Sequence, residues 1–311
     1  MTIIQALPLY GYLPLIPLLT EPTLGLLLVP ADKALNLALA IRDAYLEQMA
    51  RVRDRLPLYL GLVFFPCGTP IRAVLEAGRA MLKMGDKGTE EWWGISQANT
   101  TDETRCLTFD NGVAWEVPLV AGDGSTPDNW YTNFRFCPSI QTKPLQINHI
   151  HVNRLRPRDP QTPRDRGPKV CISPSRFDFE FLDTSGRRFE ISYDDQGRRR
   201  SRPTRPFLLD DMDRLQDIWR QLQDLTITQR YQVVQVIEAT REAWFGPFSS
   251  HASQQDDTFK QFVEDTLAGA AWRQTSWGKI TPELRQKLVN AGVTGELADL
   301  AELHLQILKE K

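Results

Sequence analysis

The stretch Leu13–Phe65, LPLIPLLTEPTLGLLLVPADKALNLALAIRDAYLEQMARVRDRLPLYLGLVFF, decides the fold. Two apolar runs, Leu13–Leu19 and Leu24–Val29, flank the polar turn Thr20-Glu21-Pro22-Thr23, which is the pattern of a β-hairpin. In Ala31–Asp54 the residues Ala34, Ala38, Ile41, Tyr45, Met49 and Val52 recur at steps of three and four. That period predicts a helix with one face on a sheet. Lys33, Arg42, Glu47, Arg51 and Arg53 fall on its polar surface, and Asp32 in its first turn, where a carboxylate suits free amides. Leu58–Phe65 is apolar apart from Gly61, as in a strand buried on both faces. Hairpin, helix and strand in this order make most of a ferredoxin-like palm.

Pro70 opens a second helix reaching about Met84, with Ile71, Val74, Leu75, Gly78 and Leu82 inward. Residues 1–84 thus read as an incomplete palm that lacks its first strand. A short strand at Thr2–Ala6 lies too close to Leu13 for the crossover a parallel pair needs. Another chain, or a rearranged Met1–Tyr12, is expected to fill the slot.

Residues 85–205 change character. Short β-like runs at Cys106–Phe109, Ala114–Leu119, Tyr131–Phe136, Gln146–Val152 and Lys169–Ile172 alternate with turns such as Asp110-Asn111-Gly112. Phe177–Leu182 and Phe189–Tyr193 read as a hairpin, with Phe177, Phe179 and Phe181 buried and Asp178 and Glu180 wet. Trp92, Trp93, Trp115 and Trp130 are the expected core of a small antiparallel sheet or barrel. Its second half is basic: Arg154, Arg156, Arg158, Arg164 and Arg166 lie among prolines, and Arg187, Arg188, Arg198, Arg199, Arg200, Arg202 and Arg205 follow. Guanidinium forks suit phosphate, so Arg154, Arg156, Arg158, Arg187, Arg188, Arg198, Arg199 and Arg200 are the candidate RNA-binding residues, against the plainer reading of a solvated face.

Residues 206–311 read as an all-α bundle. Leu208, Met212, Leu215, Trp219 and Leu222 form a seam. Thr226–Gln229 is a capping-box pattern before a helix with Tyr231, Val234 and Ile237. Phe259, Phe262, Val263 and Leu267 mark the next. Thr281-Pro282-Glu283 starts a helix that Gly292 is expected to end, and Leu297, Leu300, Ala301 and Leu308 stripe the last. The fold class is therefore α+β: a partial palm (1–84), a β-rich basic module (85–205) and a helical bundle (206–311).

Composition narrows the chemistry. The 311 residues carry a net charge of −2 and ordinary apolar content, as in a globular chain. Prolines and Glu21 break any membrane helix at the apolar start, and no basic leader precedes it; a cytoplasmic protein without membrane contact is expected. Cys67, Cys106, Cys137 and Cys171 show no close pair and read as buried reduced thiols. His149-Ile150-His151 offers half a metal site without a visible third ligand. Asp194-Asp195 reads as a turn and Asp210-Asp211 as a helix start. No nucleophile or phosphate-loop signature occurs, so no catalytic residue, metal or cofactor is assigned.

Leu26–Leu35 (LLLVPADKAL), Leu56–Phe65 (LPLYLGLVFF) and Thr69–Leu82 (TPIRAVLEAGRAML) resemble the second palm of the large signature subunit of type III CRISPR–Cas effector complexes. Arg176–Tyr193, Arg202–Asp213 and Glu296–Lys309 extend the likeness, closest to the divergent eleven-type "Csx" branch. The resemblance implies an RNA-guided antiviral complex with guide RNA, target RNA and other effector subunits as partners. Active members carry Gly-Gly-Asp-Asp on the palm hairpin; Thr20, Glu21, Pro22 and Thr23 stand there instead. A lone Glu21 cannot replace two metal-bridging carboxylates. The family's nuclease domain and first palm are also missing from this chain. The expectation is a catalytically silent scaffold subunit; the alternative is one half of a split cyclic-oligoadenylate synthase or nuclease, completed by a separately encoded N-terminal half.

Overall fold

The computed structural model describes residues 15–85, 90–101, 103–121, 126–127, 133–138, 147–163, 167–182, 191, 193–194, 197–199, 202, 204–246 and 250–309. The strand expected at Thr2–Ala6, Trp130, and Phe189, Glu190 and Ser192 of the second hairpin's expected arm lie outside these residues; of that arm Tyr193 is described, and it bridges to Arg199 rather than to the Phe177 strand. The chain is mixed α+β.

The elements follow in chain order. β1 (Ile16–Glu21), β2 (Leu24–Leu28), α1 (Ala31–Met49), β3 (Tyr59–Phe64) and α2 (Ile71–Leu82) come first. Next are β4 (Glu91–Thr100), β5 (Thr104–Phe109), β6 (Ala114–Pro118), β7 (Val120–Ala121), β8 (Thr126–Pro127), β9 (Asn133–Cys137), β10 (Asn148–His151) and β11 (Lys169–Ile172). β12 (Arg176–Phe181) and β13 (Phe207–Leu208) lead into α3 (Met212–Leu222) and α4 (Ile227–Phe245). α5 (Ser250–Gln255), α6 (Asp257–Ala268), α7 (Pro282–Thr294) and α8 (Glu296–Ala301) follow, and α8 continues into a π-helical turn, Glu302–Ile307.

β1 and β2 form the expected hairpin, with Glu21 opposite Leu24, so the turn proper is Pro22-Thr23. α1 ends at Met49 rather than Asp54. It buries Ala34, Ala38 and Arg42, while Met49 is exposed. Arg42 and Arg53, assigned to polar surface, are both buried, because carboxylates from a distant segment reach them. Arg42 Nη1 donates to Asp213 at 2.8 Å. Arg53 lies 3.4 Å from Asp210 and 3.9 Å above the Trp115 ring. α2 also sits rotated from its expected face: Ala73, Ala77 and Met81 are buried and Ile71 is exposed. Its small residues let Met81 and Ala77 close on the Tyr59 and Val63 side of β3.

The largest departure concerns β3. Among the described residues it shares no sheet with the hairpin. It pairs in parallel with β12, from Tyr59↔Arg176 to Phe64↔Phe181, and β12 pairs antiparallel with β13. The partner strand is supplied by this chain itself, from within residues 85–205. Among the described residues β3 is the edge of this sheet and mostly half-buried, not enclosed on both faces. Phe177 and Phe179 of β12 are buried as expected, but Phe181 is exposed. Asp178, expected on a wet face, is fully buried.

Between β3 and β12 the chain builds, among the described residues, a six-stranded antiparallel sheet in the order β10-β9-β11-β4-β5-β6. All five expected β runs are strands in it; β4 was not foreseen. Trp93 and Trp115 stand in its core with Phe109, ring centroids 5.2 to 5.7 Å apart. Trp92 is only half-buried. Cys137 and Cys171 are buried, but Cys106 is half-buried and Cys67 exposed.

The second core runs from Ala34 and Ala38 of α1 through Phe177, Phe179 and Phe207 into the C-terminal helices. Met212, Leu215, Trp219 and Leu222 are buried along the expected seam. Thr226 caps α4 by accepting from the Gln229 amide, and Asp256 and Thr281 cap α6 and α7 in the same way. Gly292 does not end α7. The helix runs on to Thr294 and stops at Gly295, whose φ of 96° is left-handed.

Candidate functional site

Two places carry the expected functional residues. The first is the hairpin tip. Thr20, Glu21, Pro22 and Thr23 are all exposed. Glu21 is strand-paired to Leu24 and offers one carboxylate to solvent. Among the described residues no group of three His, Cys, Asp or Glu side chains could hold a metal ion. Ile16, Leu18 and Leu27 are exposed on the same hairpin.

The second place is the β9–β10 end of the six-stranded sheet. β10 is an edge strand paired only with β9 among the described residues, and His149 lies opposite Arg135. His151 accepts from the Asn153 amide through Nδ1 at 3.2 Å. Burial, then the Arg154 charge, holds its imidazole below the usual range, so it is a structural acceptor more than a cation. The chain then turns through Val152–Arg154, leaving Arg154 and Arg156 exposed. Arg156 Nη1 donates to the carbonyls of Asn153 and Leu155 at 2.9 and 3.2 Å, which fixes its head. Two residues that sequence alone left out join this edge. Arg55 donates to the Asn133 carbonyl, and Arg135 pairs with Glu90. Their proximity depends on sheet order, for which no local pattern speaks.

The other expected arginines divide. Arg158 is half-buried and 3.3 Å from Asp110. Arg198 is exposed. Arg187, Arg188 and Arg200 lie outside the described residues. Arg199 is a correction: it is 5% exposed and pairs with Glu180, with Asp178 at 3.8 Å. Burial lowers its pKa to about 10. A guanidinium so enclosed cannot meet a phosphate backbone.

Arg199 belongs to a buried ionic cluster that the sequence did not announce. Asp178 accepts from Arg205 Nε at 2.8 Å and from the Tyr193 hydroxyl at 2.7 Å. Arg205 lies 3.8 Å over the Phe179 ring and 3.8 Å from Asp299 of α8. Arg202 reaches Asp299 at 3.2 Å and Glu302 at 2.9 Å. Burial, then the Asp178 charge, pushes the Tyr193 phenol far up. Burial raises the Asp299 carboxyl against the pull of Arg205 and Arg202. Every acid here faces a base, which is the arrangement of a structural tie rather than of a general acid–base pair.

No family model, curated protein or solved structure matches the chain. No described helix is long and apolar enough to cross a membrane.

Proposed function

We propose that this chain is a catalytically silent, large-subunit-like component of a type III CRISPR effector complex. It holds guide or target RNA by its phosphates and seats neighbouring subunits, and its hairpin tip lacks the family's catalytic carboxylates. The observation that carries the reading is the exposed Arg154 and Arg156, which follow the open β10 edge where His149 lies opposite Arg135. Exposed guanidinium groups just past a strand edge suit phosphate oxygens, which they can meet in bidentate fashion. The lone Glu21 at the hairpin tip supports silence, since two divalent ions need bridging carboxylates. The exposed Ile16, Leu18 and Leu27 support a place against another subunit.

The test is salt-dependent binding of a short single-stranded RNA to the full chain. The Arg154→Ala, Arg156→Ala double variant is expected to bind more weakly and to flatten the log–log salt slope by roughly 0.7 per lost contact. No RNA binding at low salt, or an unchanged slope, overturns the reading.

A further inference from the structure

Arg135 stands on β9 directly opposite His149 of β10, so the two side chains share a face of the six-stranded sheet. Its neighbours Phe134 and Phe136 turn the other way, into the core around Trp93 and Trp115, because successive residues of a strand alternate between faces. Arg135 is thereby fixed on the outer face. Past His151 the chain turns through Val152–Arg154, and the exposed Arg154 and Arg156 follow. Arg55, from the turn after α1, reaches β9 at the Asn133 carbonyl. Separate segments of the chain thus bring guanidinium groups to one end of the sheet.

Glu90 keeps Arg135 occupied. It stands immediately before β4 and is exposed. The two outer nitrogens of the guanidinium meet its two carboxylate oxygens, Nη1 on Oε1 and Nη2 on Oε2, the second at 3.1 Å. Those hydrogen bonds hold the Glu90 carboxyl below its usual range, with the Cys171 thiol as a lesser neighbour. The adjacent Glu91 is built differently. It accepts from Trp93 Nε1 at 2.8 Å and from Arg176 Nη2 at 2.6 Å, and both donor residues are buried, so Glu91 ties the fold together. The Glu90–Arg135 pair instead stands in solvent, its side chains 44% and 37% exposed, where an ion pair is screened and weakly held. Arg156, by contrast, is held by carbonyl oxygens, which leave its charge uncancelled.

The paired nitrogens of Arg135 are the fork that a phosphate takes from arginine, and a carboxylate on that fork stands where two phosphate oxygens would stand. We propose that Arg135 is a further phosphate contact of the β10 edge and that Glu90 holds its place in the free chain, so that RNA binds there by exchanging one oxyanion for another. This rests on the reading of that edge as an RNA site and names how the site is restrained. An isolated phosphate gains little from the exchange, because Arg135 gives up one anion to take another. A strand that also meets Arg154 and Arg156 keeps those contacts as its gain. Glu90 therefore lowers affinity for RNA and favours a polyanion over a single one.

The experiment measures binding of a fluorescein-labelled oligouridine to the full chain by anisotropy across a salt series. Arg135→Ala is expected to weaken binding and to flatten the log–log salt slope by roughly 0.7. Glu90→Gln keeps the size of the side chain and removes its charge. It is expected to tighten binding roughly threefold, and the gain is expected to vanish when Arg135→Ala is also present. Glu116→Gln removes the same charge from an exposed position on β6, at the opposite edge of the sheet, and should leave affinity nearly unchanged. Thermal unfolding of the variants should match the parent, since neither Glu90 nor Arg135 is buried. A gain from Glu90→Gln that survives Arg135→Ala, or that Glu116→Gln matches, reflects net charge alone and overturns the proposal. So does weaker binding by the Arg154→Ala, Arg156→Ala variant with no response to Arg135→Ala or Glu90→Gln, an outcome that leaves the RNA reading standing. Failure of both the parent and Glu90→Gln to bind at low salt overturns that reading and the proposal with it.

Discussion

Asp54 shows how one side chain links fold to pH. It is buried at the end of the turn after α1, and burial lifts its carboxyl to about 6, outweighing Arg55, Arg135 and Arg53. An unfolded aspartate titrates near 3.9. Between roughly pH 4 and 6 the folded chain therefore keeps a proton that the unfolded chain has released. Stability falls as pH rises through that window, by roughly 2 to 3 kcal/mol from this group. Asp210 and Asp299 are also raised by burial and add a slope of the same sign, so the comparison must be between parent and Asp54→Asn. Urea unfolding at pH 4.5 and 7 should show a flatter pH dependence in the variant and greater stability at pH 7. Identical slopes would remove Asp54 from the account. The same scale explains the misplaced arginines. Arg42, Arg53 and Arg199 look like surface residues in any window of sequence, because charge is normally solvated. Their partners Asp213, Asp210 and Glu180 become visible only when distant segments meet.

Local signals were enough to place most elements, and Gly292 and Gly295 show where they stop being enough. Both glycines stand where a helix stop is plausible. Only Gly295 takes the left-handed conformation; Gly292 lies inside α7, where a Cβ would fall 2.6 Å from Val263 Cγ1 of α6. Its role is close helix approach, which periodicity cannot express. Gly292→Ala should destabilise the fold by about 1 to 3 kcal/mol through overpacking, measured by denaturant midpoint at unchanged m-value. A neutral result would mean that α6 and α7 separate freely. Strands with clean alternation were legible in the same way: Cys106–Phe109 reads as one, and the strand begins two residues earlier, at Thr104. β4 was not, because Gln97–Thr100 is polar and mostly exposed, which hides the period of two. The β3–β12 pairing had no local signature at all, since parallel partners far apart in the chain share neither a turn nor a register signal. At the candidate site, exposed Arg154 and Arg156 were readable from composition. Arg135 joined them through sheet order alone.

Across the whole molecule, the cluster around Asp178 ties the three-stranded sheet to the C-terminal helices. Asp178 on β12 is 0% exposed, Arg205 2% and Asp299 on α8 1%, so the charges answer one another with little water between them. Removing one member of such a set leaves another charged and unpaired, which costs far more than the pair contributes relative to an apolar replacement. Arg202 reaches the same Asp299, but its side chain is 39% exposed, where solvent screens the pair to about 1 kcal/mol or less. Asp178→Ala should therefore lower the unfolding free energy by about 3 kcal/mol; the remaining Asp299 and Glu302 contacts of Arg205, at 3.8 and 3.6 Å, keep the loss from being larger. Arg202→Ala should cost a third of that or less. Replacing Asp178 by Leu together with Arg205 by Met should recover much of the loss, since an apolar pair needs no counter-charge. The measurement is equilibrium unfolding of the three variants beside the parent at neutral pH and moderate salt. If Asp178→Ala and Arg202→Ala cost the same, burial does not govern this cluster; if the double replacement is as unstable as Asp178→Ala, the cluster holds sheet and helices together by its geometry rather than by the charges it neutralises.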